Sequence, residues 1–114
     1  MSPCCRGRTT SPNTLTEKGE IVPGRGDPVN THDIITGSQP DGTAFPPGDD
    51  KTCGNYTLGG TEGAVMLGHS DRTGLDDTPA AHSWNSSHLS RGGCSVAALK
   101  STGSARRLYC FAVD

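Results

Sequence analysis

Residues 107–113, Arg107-Leu108-Tyr109-Cys110-Phe111-Ala112-Val113, read as the strand around which the rest of the chain is arranged. Leu108, Cys110 and Ala112 fall on one face and Tyr109, Phe111 and Val113 on the other, as a period of two requires. Both faces are apolar, so the expectation is a central strand covered on both sides. Cys53 and Cys94 stand upstream among glycines and polar residues. The remaining chain reads as irregular loops tied onto that strand.

The composition limits how much else there can be. A chain of 114 residues supports one domain and buries roughly two thirds of its surface. Yet hydrophobic residues make up 31% and aromatics 4%, against an ordinary apolar share of about 45–50%. The 16 glycines and 8 prolines are spread through the chain and favour turns at many positions. Two classes fit such a composition, a disordered chain and a loop-rich secreted fold held by disulfides. A net charge of −2 argues against strongly charged disorder and provides no basic surface for nucleic acid; Arg6, Arg8, Arg106 and Arg107 are too few and too dispersed. No apolar run approaches the ~20 residues of a membrane span. Residues 1–10 have no apolar central region, so no signal peptide is expected there, which conflicts with a secreted reading.

Residues 1–14 are expected to lack regular structure. Residues 15–20 fit one helical turn, and 21–30 a turn-rich loop containing Arg25-Gly26-Asp27, which reads as an ordinary turn. Residues 32–36 form a short strand candidate ended by Gly37, and 39–51 a loop with Pro40-Asp41-Gly42 as its turn. Residues 52–57 read as a strand through Cys53, 59–63 as a turn and 64–68 as a short buried strand. A polar excursion follows over 69–93. Residues 95–101 fit a short helix, with Ser95 as cap, an apolar side of Val96, Ala98 and Leu99, and Gly103 as the stop.

Five cysteines leave at least one without a partner in the chain. No Cys-x-x-Cys pair exists, so zinc ribbon and finger spacings are absent. Adjacent Cys4 and Cys5 suit a mutual disulfide poorly. Cys53 and Cys94 are the best pair, because both flank the polar excursion and both lie beside strand candidates. Cys110 is then left over, either as a buried thiol within its strand or as a cysteine whose partner lies outside this chain.

Several ordered segments carry a resemblance. Gly37-Ser38-Gln39-Pro40-Asp41-Gly42-Thr43-Ala44-Phe45, Thr52-Cys53-Gly54-Asn55-Tyr56-Thr57, Gly68-His69-Ser70-Asp71-Arg72, Ser83-Trp84-Asn85-Ser86-Ser87-His88, Ser90-Arg91-Gly92-Gly93-Cys94-Ser95 and Leu108-Tyr109-Cys110-Phe111 resemble the C-terminal half of a family of bacterial secreted lectin-like proteins. That family is related to the endostatin domain of collagens. The resemblance implies an α+β, C-type-lectin-like fold over residues 15–114, loop-rich with short antiparallel strands, behind an unstructured segment 1–14. It also implies an inner Cys53–Cys94 pair and a last cysteine, Cys110, that bonds to one near the start of the domain. That first half is not recognisable here, so the chain resembles a truncated domain. A secreted or periplasmic location follows from the resemblance alone.

Trp84-Asn85-Ser86 resembles the Trp-Asn-Asp of calcium-dependent lectins, with Ser86 in place of the second carboxylate and no Glu-Pro-Asn partner. Around it Asp71, Asp76, Asp77 and Asn85 are the candidate Ca²⁺ ligands, with His69 a further metal candidate. Two other readings of Trp84 stand beside this one: a plug of the core or disulfide, and an exposed ring that stacks on a sugar. His69, Asp71 and His88 have the donor types of a zinc site with one open position. Against that stands a braced loop in which Asp71 pairs with Arg72 or Arg91, with His32, His69, His82 and His88 as ordinary surface histidines. No serine sits in a nucleophile elbow. The expected function is a non-catalytic binding module that takes carbohydrate through Trp84, Asn85, His88, Asp71 and Arg91. The alternatives are an interaction domain without a sugar site and a metal-dependent hydrolase.

Overall fold

The computed structural model describes residues 14–111 and 113. The reading of 1–14 as unstructured falls almost wholly outside them. The described residues form an α+β arrangement. Its three-stranded antiparallel sheet has the order β1 (Asp33–Ile35), β2 (Met66–His69), β3 (His88–Leu89). A helical turn, α1 (Cys53–Tyr56), and a helix, α2 (Val96–Thr102), flank it. Among the described residues, no helix is long and apolar enough to cross a membrane.

The central strand is β2. Its register places Asp33 opposite His69, Ile34 opposite Gly68 and Ile35 opposite Leu67. On the other side Met66 faces Leu89 and Leu67 faces His88. Directly opposed residues point to the same face of an antiparallel pair. One face therefore carries Ile35, Leu67 and His88 in one row and Asp33 and His69 in the next. Leu67 and Val65 join Cys53, Cys94 and Leu99 in the hydrophobic core, with Ile35 packed against it. Gly68 is required on β2 because a Cβ there would overlap the Trp84 carbonyl.

Residues 107–113 are not the central strand. Leu108 makes an isolated parallel bridge to Ile35, and the Ile35 N–H donates to the Arg107 carbonyl at 2.9 Å. Leu108 is 68% and Phe111 45% exposed, and Cys110, for which a buried thiol is one of two expectations, is also exposed. An alternating apolar pattern does not distinguish a buried strand from a segment that lays its aromatic rings on a neighbouring loop, which is what Tyr109 and Phe111 do against Trp84.

Two further expectations are corrected. Residues 15–20 do not form a helical turn; they make a tight turn that closes an antiparallel bridge from Leu15 to Ile21. Thr16 supplies the reason, since its Oγ1 accepts from the Lys18 and Glu20 N–H groups. Residues 52–57 are not a strand. Cys53, Gly54, Asn55 and Tyr56 have φ of 53°, 61°, 55° and 64°, a turn in the left-handed region that costs about 1–2 kcal/mol per non-glycine residue. Asp50 and Thr52 offset this, accepting from the Gly54 N–H at 2.8 Å and the Asn55 N–H at 2.9 Å.

The Cys53–Cys94 disulfide is present, with 6.0 Å between the Cα atoms. Helix α2 starts with Ser95 accepting from the Ala98 N–H and ends at left-handed Gly103, as its cap residues dictate. Ala98, Leu99 and Thr102 are its buried side, and Val96 faces solvent instead.

The loops are held by a repeated device. In Asp41-Gly42-Thr43, Asp50-Lys51-Thr52, Asp71-Arg72-Thr73 and Asp76-Asp77-Thr78 the aspartate Oδ1 accepts from the threonine N–H at 3.0, 2.9, 3.1 and 2.9 Å. Such turns satisfy backbone donors that no ladder reaches.

Two outcomes follow. Reducing Cys53–Cys94, which closes a loop of 41 residues' separation, is expected to lower stability by about 4 kcal/mol on the chain-entropy model, measured by urea unfolding of Cys53→Ser/Cys94→Ser against the oxidised chain. Threonine donors hold the Asp41, Asp50 and Asp76 carboxyls below 3.8. A depressed carboxyl contributes stability that is present above the unfolded value and lost as pH falls through the folded one. Carboxyl ¹³C shifts are therefore expected to titrate below 3.8 at these three positions; midpoints at or above that value would show that the turns do not hold in solution.

Candidate functional site

The sheet register assembles a polar cluster that the sequence disperses. Asp33 and His69 are cross-strand partners, and His88 sits diagonally from His69 on β3. His32 precedes β1 and stacks on the His69 ring, with centroids 4.1 Å apart. Three imidazole Nε2 atoms converge on one oxygen. From Asp33 Oδ1, His32 Nε2 lies at 3.5 Å, His69 Nε2 at 3.3 Å and His88 Nε2 at 3.4 Å. The His69 and His88 Nε2 atoms are themselves 3.1 Å apart.

The outer edge of each ring is already engaged. His32 Nδ1 donates to Asp71 Oδ1 at 2.7 Å, His69 Nδ1 to the Ala81 carbonyl at 2.7 Å and His88 Nδ1 to the Leu89 carbonyl at 3.1 Å. Carboxylate and carbonyl oxygens only accept, so each Nδ1 carries the proton and each neutral ring turns a lone pair inward. The Ser87 hydroxyl lies within hydrogen-bonding distance of both His69 nitrogens, at 3.3 Å from Nδ1 and 3.2 Å from Nε2. Asp33 is 1% exposed, and its Oδ1 has no hydrogen-bond donor among the described residues. Its distances to the rings exceed the ~2.7–2.9 Å of a charge-assisted hydrogen bond.

The charges respond accordingly. Burial pushes the Asp33 carboxyl up, but the His69 and His88 side chains beside it outweigh that and hold it below its usual value. Asp33 in turn raises His88. Burial also pushes Asp71 up, and the bonds from His32 and the Arg25 N–H overcome it, bringing the carboxyl to about 2. His82 lies apart from the cluster, on the Arg72 carbonyl and near Asp77.

An open polar cavity of about 310 Å³ leads to this cluster, lined by His32, Asp33, His69, His88, Asp76 and Arg91 among others. A second cavity, of about 420 Å³, is lined by Ile35, Tyr56, Trp84, Asn85, Tyr109 and Phe111 among others. Trp84 meets Tyr109 and Phe111 edge-to-face, at 5.4 and 5.7 Å between centroids. Trp84 is half-buried and outside the core cluster that holds the disulfide, so it neither plugs the core nor packs on that bridge.

The expected ligand set of Trp84, Asn85, His88, Asp71 and Arg91 is therefore split between two places. Asn85 is committed internally: its amide donates to Ser38 Oγ, Gln39 O and Pro40 O, and its Oδ1 accepts from Ser83. Asp71 pairs with neither Arg72 nor Arg91. It buttresses His32 and accepts from the Arg25 N–H at 2.7 Å, which places it behind the zinc candidates His69 and His88. His32 and His69 are buried, not surface histidines. The Ca²⁺ candidates do not converge. Asp76 serves its own turn, Asp77 is exposed near His82, and Asn85 lines the other cavity. Among the described residues, the His/Cys/Asp/Glu group close enough to share an ion is His32, Asp33 and His69, with ligand atoms within 4.8 Å of one another. His32 and Asp33 escaped the sequence reading. The available signal was an aspartate opening an apolar strand, a position where Asp is depleted.

Imidazole ¹⁵N shifts should report Nδ1–H tautomers for His32, His69 and His88 in the neutral state. An Nε2–H tautomer at His69 would show that its bond to the Ala81 carbonyl does not form. Compared with protein-family models, curated proteins and solved structures, the chain matches none.

Proposed function

We propose that the chain is a non-catalytic binding module of the C-type-lectin-like, endostatin-related kind from a secreted or periplasmic bacterial protein, and that it takes carbohydrate in the cavity beside Trp84. The resemblance of the Cys53, Trp84 and Cys110 segments supports the family. The disulfide accords with an oxidising compartment. The observation that carries the ligand class is the aromatic wall. Trp84, Tyr109 and Phe111 present half-buried or exposed rings to a cavity of about 420 Å³ whose lining also includes Tyr56 and Ser38. A sugar offers apolar C–H faces to such rings and hydroxyls to the polar rim. Binding there requires no Ca²⁺, because the Asn85 Oδ1 that would ligate the ion accepts from Ser83 Oγ and the acidic candidates lie away from this cavity.

A second reading rests on Leu108 and Phe111, which are both exposed beside the same rings. Such a patch also suits a protein partner.

Trp84 is the single tryptophan, so its fluorescence reports the cavity directly. A glycan panel is expected to contain a sugar that shifts its emission equally with and without added Ca²⁺. Isothermal titration of Trp84→Ala should then show affinity reduced roughly tenfold, the upper range for one aromatic contact. A panel that leaves Trp84 unchanged, while Phe111→Asp abolishes capture of a protein partner, would replace the sugar reading with the interaction one. A response strictly dependent on Ca²⁺ would contradict the stacking mode.

A further inference from the structure

The geometry points to a zinc centre formed by His32 Nε2, Asp33 Oδ1 and His69 Nε2, with His88 Nε2 beside Asp33 and His69 as a further donor at its open side. It is separate from the carbohydrate cavity and independent of that proposal. Four electron-rich atoms face one another here. Three are ring nitrogens whose lone pairs turn inward because their Nδ1 protons are spent on Asp71, Ala81 and Leu89. The fourth is a carboxylate oxygen without a donor. Acceptors crowded in this way repel unless a positive charge lies among them. A buried charge left uncompensated costs several kcal/mol, and Asp33 is among the most buried side chains in the protein.

The spacing selects the kind of cation. Zinc bonds to imidazole nitrogen and carboxylate oxygen are about 2.0–2.2 Å long, which puts tetrahedral ligand atoms about 3.3–3.5 Å apart. The separations here are 3.5, 3.3 and 3.4 Å from Asp33 Oδ1 and 3.1 Å between His69 and His88. These separations thus have about the length that ligands of one ion require, while His32 and His88 stand on opposite sides of the group and are not within reach of one another. Imidazole nitrogens with one carboxylate oxygen are a borderline donor set suited to zinc and unsuited to Ca²⁺, which takes six to eight oxygens. Asp71 completes the arrangement by fixing the tautomer of His32, as a carboxylate does behind a ligating histidine. The three strands each contribute a ligand or adjoin one, so the ion would tie β1, β2 and β3 together. His88, half-exposed beside Asp33 and His69, faces the open cavity and gives the ion a way in.

The test uses the whole 114-residue chain without a histidine tag, oxidised at Cys53–Cys94, stripped with a chelator and titrated with Zn²⁺ alone. One zinc per chain is expected by elemental analysis, with a rise in Tm. Replacement by Co²⁺ should give the intense visible bands of a tetrahedral ion. His69→Ala should abolish binding, and His88→Ala should weaken it and change the Co²⁺ spectrum. Asp71→Asn should weaken it by about 10- to 100-fold while leaving the stoichiometry at one. Excess Ca²⁺ should displace nothing. Wild-type chain that is folded by circular dichroism and takes up no Zn²⁺ at micromolar concentration would overturn the proposal, leaving protons to neutralise the cluster. Uptake unchanged in both His69→Ala and His88→Ala would overturn it too, since the ion would then sit elsewhere. If a variant fails to fold, the wild-type Co²⁺ spectrum decides, and an octahedral signature rejects the site.

Discussion

The pairing of β1 with β2 is the constraint on which the rest of the structure depends. It sets Ile35 against Leu67 and Asp33 against His69. The first pair belongs to the hydrophobic core and the second to the polar cluster, one row along the same face. A register shift of one residue would send each to the opposite face. The apolar row and the Cys53–Cys94 bridge beneath it hold the strands together, so the polar row can remain buried without collapsing onto water. The fold therefore supports, within one short sheet, a group of side chains that would not gather by themselves.

With so few apolar residues, much of the order comes from hydrogen bonds local to the loops. Four Asp-x-Thr turns pin their own backbone. Thr16 does the same at the first described turn. Asp71 acts at three places at once, holding its own turn through Thr73, the 24–27 turn through the Arg25 N–H, and the His32 ring. Gly24 leaves the room this needs, because a Cβ there would overlap the Asp71 carboxylate. Acidic residues that composition alone offers as calcium ligands thus serve as internal struts. The same applies to Asn85, whose amide ties the 83–86 segment to residues 38–40.

The two cavities differ in the physics each can apply to a ligand. Beside Trp84 the walls are aromatic and partly exposed, so binding there would come from stacking and exclusion of water. At His32, Asp33, His69 and His88 the walls are a carboxylate and three imidazoles, largely buried, so the interaction is electrostatic and strengthened by the low local dielectric. Trp84 and His88 are four positions apart in the chain yet line different cavities, because 83–87 crosses β2 at Gly68, with the Ser87 N–H donating to the Leu67 carbonyl at 2.7 Å.

By itself the sequence determined the features that depend on near neighbours. Ser95 and Gly103 bound a helix because a cap acts within one turn. Residues 64–68 lie around the central strand because a short apolar run needs burial. Cys53 and Cys94 pair across the polar excursion that separates them. Only the tertiary structure decided the features that depend on register and direction. Residues 107–113 have the alternation of a buried strand, but β2 has both its edges occupied by β1 and β3, so the segment meets the sheet through the bridge from Leu108 to Ile35 and lays Tyr109 and Phe111 against Trp84. Cys53–Tyr56 turn left-handed because Asp50 and Thr52 reach the backbone there. His32, Asp33, His69 and His88 are 1 to 56 positions apart in the chain, and no spacing rule joins them. They meet because antiparallel pairing sets each residue opposite one partner, and that choice is made by the packing of Ile35 and Leu67 one row away.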